Sequence, residues 1–174
     1  MKTALAAMVL APFVLVQGQT STSVAVPVVA SKPHDPAPAP DFALQSANGE
    51  TVHLSDLRGR VVFLNFWATW CAPCKIMTPW LVEMQNQYGP RGLQIVGIAL
   101  DEDATKVEIG ESADSMRMNY LVLIGTTKMA NAYGGVPALP MSFIVGRDGK
   151  IVSKIVGLSS KGEIEDGIKK ALNL

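Results

Sequence analysis

Apolar residues recur along this chain in two rhythms, and the changes of rhythm mark its elements. RVVFLNFW, Arg60–Trp67, is a nearly unbroken apolar run, as expected of a strand buried on both faces. Beyond it Cys74, Met77, Leu81, Met84 and Tyr88 fall at helical spacing until Gly89-Pro90 stops the pattern. Pro79 lies inside that helix and predicts a kink. LQIVGIAL, Leu93–Leu100, predicts a second buried strand, followed by a polar helix from about Ala104 to Met118 and a short third strand in YLVLIG. A short helix over 127–133 precedes MSFIV, which pairs with KIVSKIVG through a turn at Arg147-Asp148-Gly149. The last helix opens with Ser160 and Glu163 in capping-box register and carries Ile164, Ile168 and Leu172 on one face. Ahead of all these, DFALQSANGETVHL holds two short runs around Asn48-Gly49, a hairpin signal. Alternation of this kind predicts an α/β fold: a central mixed sheet flanked by helices, with an N-terminal β-hairpin extension.

The first 40 residues follow neither rhythm. Met1 and Lys2 precede TALAAMVLAPFVLV, and Val16 with Gly18 forms a small-residue cleavage site, so residues 1–18 read as a secretory signal peptide. An uncleaved membrane anchor is the competing reading; the run falls short of the roughly 20 apolar residues that span a bilayer, and Pro12 interrupts it. Residues 19–40 hold five prolines between Val24 and Pro40 and predict an extended linker, with His34 a solvated residue in it. The folded domain is expected over 41–174, about 134 residues and enough for one core. Export places the domain in the periplasm or cell envelope, soluble after cleavage and membrane-bound only if the segment is retained. Fifteen basic residues balance 15 acidic ones, which argues against electrostatic capture of nucleic acid or of an anionic membrane.

The chain's two cysteines both lie in WATWCAPCK, Trp67 to Lys75. Such a pair can be half of a metal site, an inert bridge or a redox centre. Zinc needs three or four protein ligands, and the two histidines are His34 in the linker and His53 in the hairpin, so no metal is expected. Copper(I) suits soft thiolates and thioethers, and Met77, Met116, Met118, Met129 and Met141 are available, although each falls where core packing explains it. A permanent bridge over a two-residue spacer would constrain the unfolded chain little.

The apolar strand ending in NFWATWCAPCK, a helix starting at the first cysteine, and a Leu-Pro about 66 residues later before a strand resemble the thioredoxin fold. The leading DFALQSANGETVHLSDLRGR is similar to the N-terminal extension of exported thiol/disulfide oxidoreductases of the TlpA/ResA type. The resemblance implies a dithiol/disulfide exchange enzyme whose working group is the Cys71-Cys74 pair, with no other cofactor. Position assigns the roles: Cys71, ahead of the helix, is the exposed nucleophile, its thiolate favoured by the helix N-terminus; Cys74, one turn in, is the shielded resolving thiol. Pro73 shapes the loop between them.

The same resemblance implies that Pro140 forms a cis peptide with Leu139 and faces the cysteines, leaving the Leu139 backbone free to pair with an extended partner; Pro137 is the rival position. Trp70, Ala72, Pro73 and Leu139 form the expected partner-binding surface, while Trp67 packs at the strand end. Cytosolic thioredoxins carry a buried aspartate where this chain has Asn65, which cannot move a proton. The acids of LDED are the alternative, and Glu102, with its carboxylate partly desolvated, is the candidate acceptor of the Cys74 proton. CAPC is similar to the reducing members of the family, which points to a reductant for protein disulfides, by analogy in cytochrome c maturation or copper-site assembly, fed by an upstream envelope electron donor. A copper-binding assembly module using the same thiols is the alternative, and a peroxiredoxin lacks support because its Thr-x-x-Cys context is absent.

Overall fold

The computed structural model describes residues 36–174. The expected signal peptide, its cleavage site and the linker through Asp35 lie outside the described residues. Among the described residues no helix is long and apolar enough to cross a membrane.

Among the described residues seven strands and four helices follow the predicted order. A two-stranded antiparallel hairpin, β1 (Ala43–Gln45) and β2 (Thr51–His53), precedes a five-stranded sheet of β3 (Val61–Trp67), β4 (Leu93–Ala99), β5 (Leu121–Ile124), β6 (Met141–Val145) and β7 (Ile151–Val156). Its strand order is β5-β4-β3-β6-β7. The pairs β3/β4 and β4/β5 are parallel, whereas β3/β6 and β6/β7 are antiparallel. The helices are α1 (Ala72–Tyr88), α2 (Lys106–Ser115), α3 (Thr127–Ala132) and α4 (Lys161–Leu172).

Strand alternation divides the core between the sheet's two faces. Val61 and Phe63 of β3 pack with Met77 and Leu81 of α1 and with Ile164 and Ile168 of α4. Val62, Leu64 and Phe66 point the other way, toward Phe42 and Leu44 of the hairpin region and Met129 and Tyr133 of the α3 segment. All seven β3 residues are buried, and the run is apolar but for Asn65 because both faces are covered. Ile164, Ile168 and Leu172 of α4 are likewise buried, each worth about 1.5–3 kcal/mol by area.

Two details depart from the sequence expectation. Helix α2 is shorter at both ends than 104–118. Thr105 caps it, accepting the Glu108 N–H while the Glu108 carboxylate accepts the Thr105 N–H, and Arg117 beyond its end sits at φ 54°, outside helical space. The domain also begins before Asp41. The Ala39 N–H donates to Gly149 O at 2.9 Å, the Ile151 N–H to Ala37 O at 2.8 Å, and the Tyr133 hydroxyl to Pro40 O at 2.8 Å. Alternating Pro-Ala makes this possible, because Ala39 supplies the donor that the prolines lack while Ala37 and Pro40 need only accept. Helix α1 contains Pro79 as the sequence predicts, and the proline is exposed. Its missing N–H forfeits a bond to Lys75, also at the surface.

Candidate active site

The strand register gathers three loops at one end of the sheet. Trp67 pairs with Ala99 across β3 and β4, and Phe66 with Met141 across β3 and β6. The cysteine loop, the loop leaving β4 and the loop entering β6 therefore meet beyond the carboxyl end of β3, where open α/β sheets form their sites.

The cysteine loop is fixed from behind. The Leu100 N–H donates to Trp67 O at 2.8 Å, and the Cys71 N–H to Ala68 O at 3.1 Å. Both Asp101 carboxylate oxygens accept the Thr69 N–H at 3.1 Å, and one also accepts the Thr69 hydroxyl at 2.7 Å. Asp101 is thus a clamp on the strand-to-helix turn. The parallel register, which sets the residues after Trp67 beside those after Ala99, is the signal that could have found this pair.

Cys71 is the N-cap of α1, in extended conformation, and its Sγ accepts the Cys74 N–H at 3.2 Å. A sulfur therefore takes the capping place that an oxygen usually fills. Pro73, in the first turn, has no N–H to leave unpaired there. The two sulfurs are joined, with the Cα atoms 5.3 Å apart.

Cys71 was expected to be exposed and Cys74 shielded, yet each is 2% exposed. They pack among Trp67, Ala68, Ala99 and Ile109, with Leu139 against the cluster. A disulfide carries no charge, so covering both sulfurs takes none out of water. The exposed features are the neighbours: Trp70 is 71% exposed, and Ala72 and Pro73 lie at the surface. Trp67, 1% exposed, packs at the strand end.

The loop entering β6 supplies the facing wall. The Leu139–Pro140 peptide is cis; Pro140 is buried, Leu139 half-buried and Pro137 exposed. Within the described residues no hydrogen bond engages the main-chain N–H groups of Val136, Ala138 or Leu139. Beside them opens a groove of about 1070 Å³ whose lining includes Trp70, Leu100, Val136 and Leu139.

Asp101, Glu102, Asp103 and Glu108 also line this groove. Glu102 is exposed, so the desolvation expected of it is absent; it follows β4 on a surface loop that nothing covers. The Thr105 N–H and hydroxyl hold the Glu108 carboxyl below its usual range.

Beneath the cysteines the polar side chains are neutral. Asn65, 4% exposed, donates from Nδ2 to Ser142 Oγ at 3.0 Å and to Met77 Sδ at 3.6 Å. The Thr78 hydroxyl donates to Cys74 O at 2.9 Å. Ser142 and Thr78 were not singled out from the sequence, since a lone hydroxyl in an apolar run carries no distinguishing pattern. Met77, Met129 and Met141 are buried in the two main core layers, and Met116 and Met118 pack half-buried against the cysteine cluster. Among the described residues no group of three or more His, Cys, Asp or Glu side chains is placed to hold a metal ion.

Comparison with known proteins agrees with this geometry. Residues 36–154 match the AhpC/TSA family. The chain is 36% identical over 132 residues to the thiol-disulfide oxidoreductase ResA of Bacillus thuringiensis (strain Al Hakam), covering 76% of this chain and 75% of that one. It is 34% identical over 128 residues to ResA of Bacillus subtilis (strain 168), covering 74% and 70%. Among solved structures, a thioredoxin-family thiol:disulfide interchange protein from Chlorobium tepidum superposes with a TM-score of 0.72 at 30% identity, over 79% of this chain and 97% of that one.

Proposed function

We propose, from the premise that this chain belongs to the AhpC/TSA family and is a thioredoxin-fold thiol-disulfide oxidoreductase, that it acts in the cell envelope as a reductant of protein disulfides. The observation that carries the proposal is the Cys71–Cys74 bridge at the start of α1, beside a Leu139–Pro140 turn in which the main-chain N–H groups of Val136, Ala138 and Leu139 have no partner among the described residues.

In the reduced protein the Cys71 thiolate attacks one sulfur of a partner's disulfide. That bond breaks, a mixed disulfide forms, and the partner's other sulfur leaves as a thiolate that takes up a proton. The Cys74 thiol loses its proton to solvent and attacks Cys71 Sγ, which releases the partner's second sulfur. Two electrons have moved, so the partner is a dithiol and this protein a disulfide. An upstream dithiol donor in the same compartment returns it to the reduced form. Main-chain pairing of the partner along Val136–Leu139, as an added strand, and contact with Trp70 hold its sulfur in line.

The charges around Cys71 support this direction of flow. Its Sγ receives one main-chain N–H, the dipeptide Ala72-Pro73 adds no cation, and the groove beside it carries carboxylates. A thiolate so placed is stabilised moderately, which leaves the pair near thioredoxin's roughly −270 mV rather than strongly oxidising. By analogy with its relatives, the substrates are cysteine pairs that must be reduced before haem attachment in cytochrome c maturation or before copper-site assembly. The apolar run at residues 3–16 supports export.

Replacing Cys74 with Ala tests the exchange. The variant should stop after the first step and collect mixed disulfides on Cys71 from an oxidised envelope extract. Recovery of the variant with no partner attached, from an extract in which the Cys71→Ala control also traps nothing, contradicts the mechanism. Insulin reduction measured beside Cu(I) affinity separates it from a copper module, for which metal would bind tightly without reductase activity.

A further inference from the structure

The groove beside the bridge is asymmetric in charge. The chain balances 15 acids with 15 bases, yet four acids line this groove and no Lys, Arg or His does so among the described residues. The nearby cations stand outside the lining: Lys75 and Lys128 are exposed on their helices, and Lys106 donates to Gln45. Asp101 is spent on Thr69 and Glu108 on Thr105, and both remain acceptors whose charge no cation among the described residues cancels. Glu102 and Asp103 are exposed beside them. The rest of the lining is suited to a peptide. Trp70 stands 71% exposed, and the unpaired N–H groups of Val136, Ala138 and Leu139 offer a main-chain edge.

We infer that the groove selects extended protein segments in which Lys or Arg lies close to the reacting cysteine, with the cationic side chains over the Asp101–Glu108 loop and an apolar neighbour on Trp70. This deepens the exchange reading and rests on it. Two physical effects produce the selection. The summed field of four carboxylates steers a cationic segment toward the bridge and repels an acidic one. The field is local, because a balanced chain contributes no net attraction of its own. A basic flank also lowers the pKa of the departing cysteine, so cationic segments are better leaving groups as well as better ligands.

The test uses the full reduced protein and three synthetic disulfide peptides that differ only in the residues flanking cysteine: Lys, Ser or Glu. The rate constant for reduction is measured for each at low and high ionic strength. At an ionic strength of about 0.01 M, where charges act over roughly 30 Å, the Lys peptide should react at least about tenfold faster than the Glu peptide. The ratio should fall severalfold at about 1 M salt, where the reach is about 3 Å.

Leaving-group chemistry alone would favour the Lys peptide too, so the variant separates the two effects. In D103N/E108Q, which keeps the capping box because Gln serves at that position, the low-salt ratio should drop by about threefold or more. Equal rates for the Lys and Glu peptides at low salt, or a ratio that the double variant leaves unchanged, overturn the inference while the exchange reading stands. Failure of the reduced protein to react with any of the three peptides overturns both.

Discussion

Helices α1 and α4 lie on the same face of the sheet and share one core layer, but they begin in different ways. At α4, Ser160 Oγ accepts the Glu163 N–H at 3.3 Å, and the Glu163 carboxylate accepts the Ser160 N–H at 3.1 Å. The positive end of that helix is filled by its own carboxylate. At α1 the cap is Cys71 sulfur, 3.2 Å from the Cys74 N–H, and the first turn contains no acid. One N-terminus is used to stabilise the fold. The other is left open for a sulfur that becomes anionic only when the bridge is reduced.

Substituting the two caps should separate these uses, and the largest effect belongs to Cys71→Ser. Serine restores an oxygen cap, so α1 should keep its start, while insulin reduction falls by at least about a thousandfold because the nucleophile is gone. Retention of measurable activity would assign the attack to Cys74.

Ala72→Glu sharpens the contrast by giving α1 the acid that α4 has. Ala72 is exposed in the first turn, so the side chain should be tolerated and the oxidised protein should gain about 0.3–1 kcal/mol from the helix dipole. The same charge opposes the thiolate. The ionised fraction of Cys71 at pH 7 should fall about three- to tenfold, and the reduction rate with it. Unfolding curves and single-turnover kinetics on the same sample check both halves.

Ser160→Ala works in the opposite sense. It should cost about 1 kcal/mol in urea unfolding and leave the exchange rate unchanged, since α4 holds no reacting group. The smallest effect is in pH. Hydrogen bonds from Ser159 and Ser160 lower the Glu163 carboxyl below 4.5, and the Thr105 N–H and hydroxyl do the same for Glu108. Both groups bind protons more weakly folded than unfolded. Their contribution is therefore complete above about pH 4.5 and is lost as the pH falls through the depressed folded values. Melting temperature should decline below that point, and less steeply in Ser160→Ala.

Much of this was legible in the chain, for identifiable reasons. Strand β3 could be read from RVVFLNFW because burial on both faces leaves an unbroken apolar run, and α4 from Ser160 and Glu163 because capping follows local spacing. The ends of α2 were not legible, because a polar helix has no apolar rhythm to mark them and Thr105 had to be recognised as its cap. Pairing of Ala37 and Ala39 with the β6–β7 turn was hidden by the prolines between them, whose composition suggested a tether.

At the site, the cysteines announced themselves by spacing. The burial of Cys71 did not, because exposure depends on what the other loops place around the sulfur. Among three consecutive acids, the sequence favoured Glu102 over Asp101; only the register across β3 and β4 reveals that Asp101 reaches Thr69.

If the start of α1 is kept for a Cys71 thiolate, alkylation of the reduced protein will reveal it. Iodoacetamide labelling is followed as a function of pH, with the modified residue identified by peptide mapping. Cys71 should react first and titrate near pH 7, well below the ordinary thiol value of about 8.5, while Cys74 stays unmodified in the same interval. Labelling of Cys74 first, or a Cys71 titration at 8.5 or above, would contradict it.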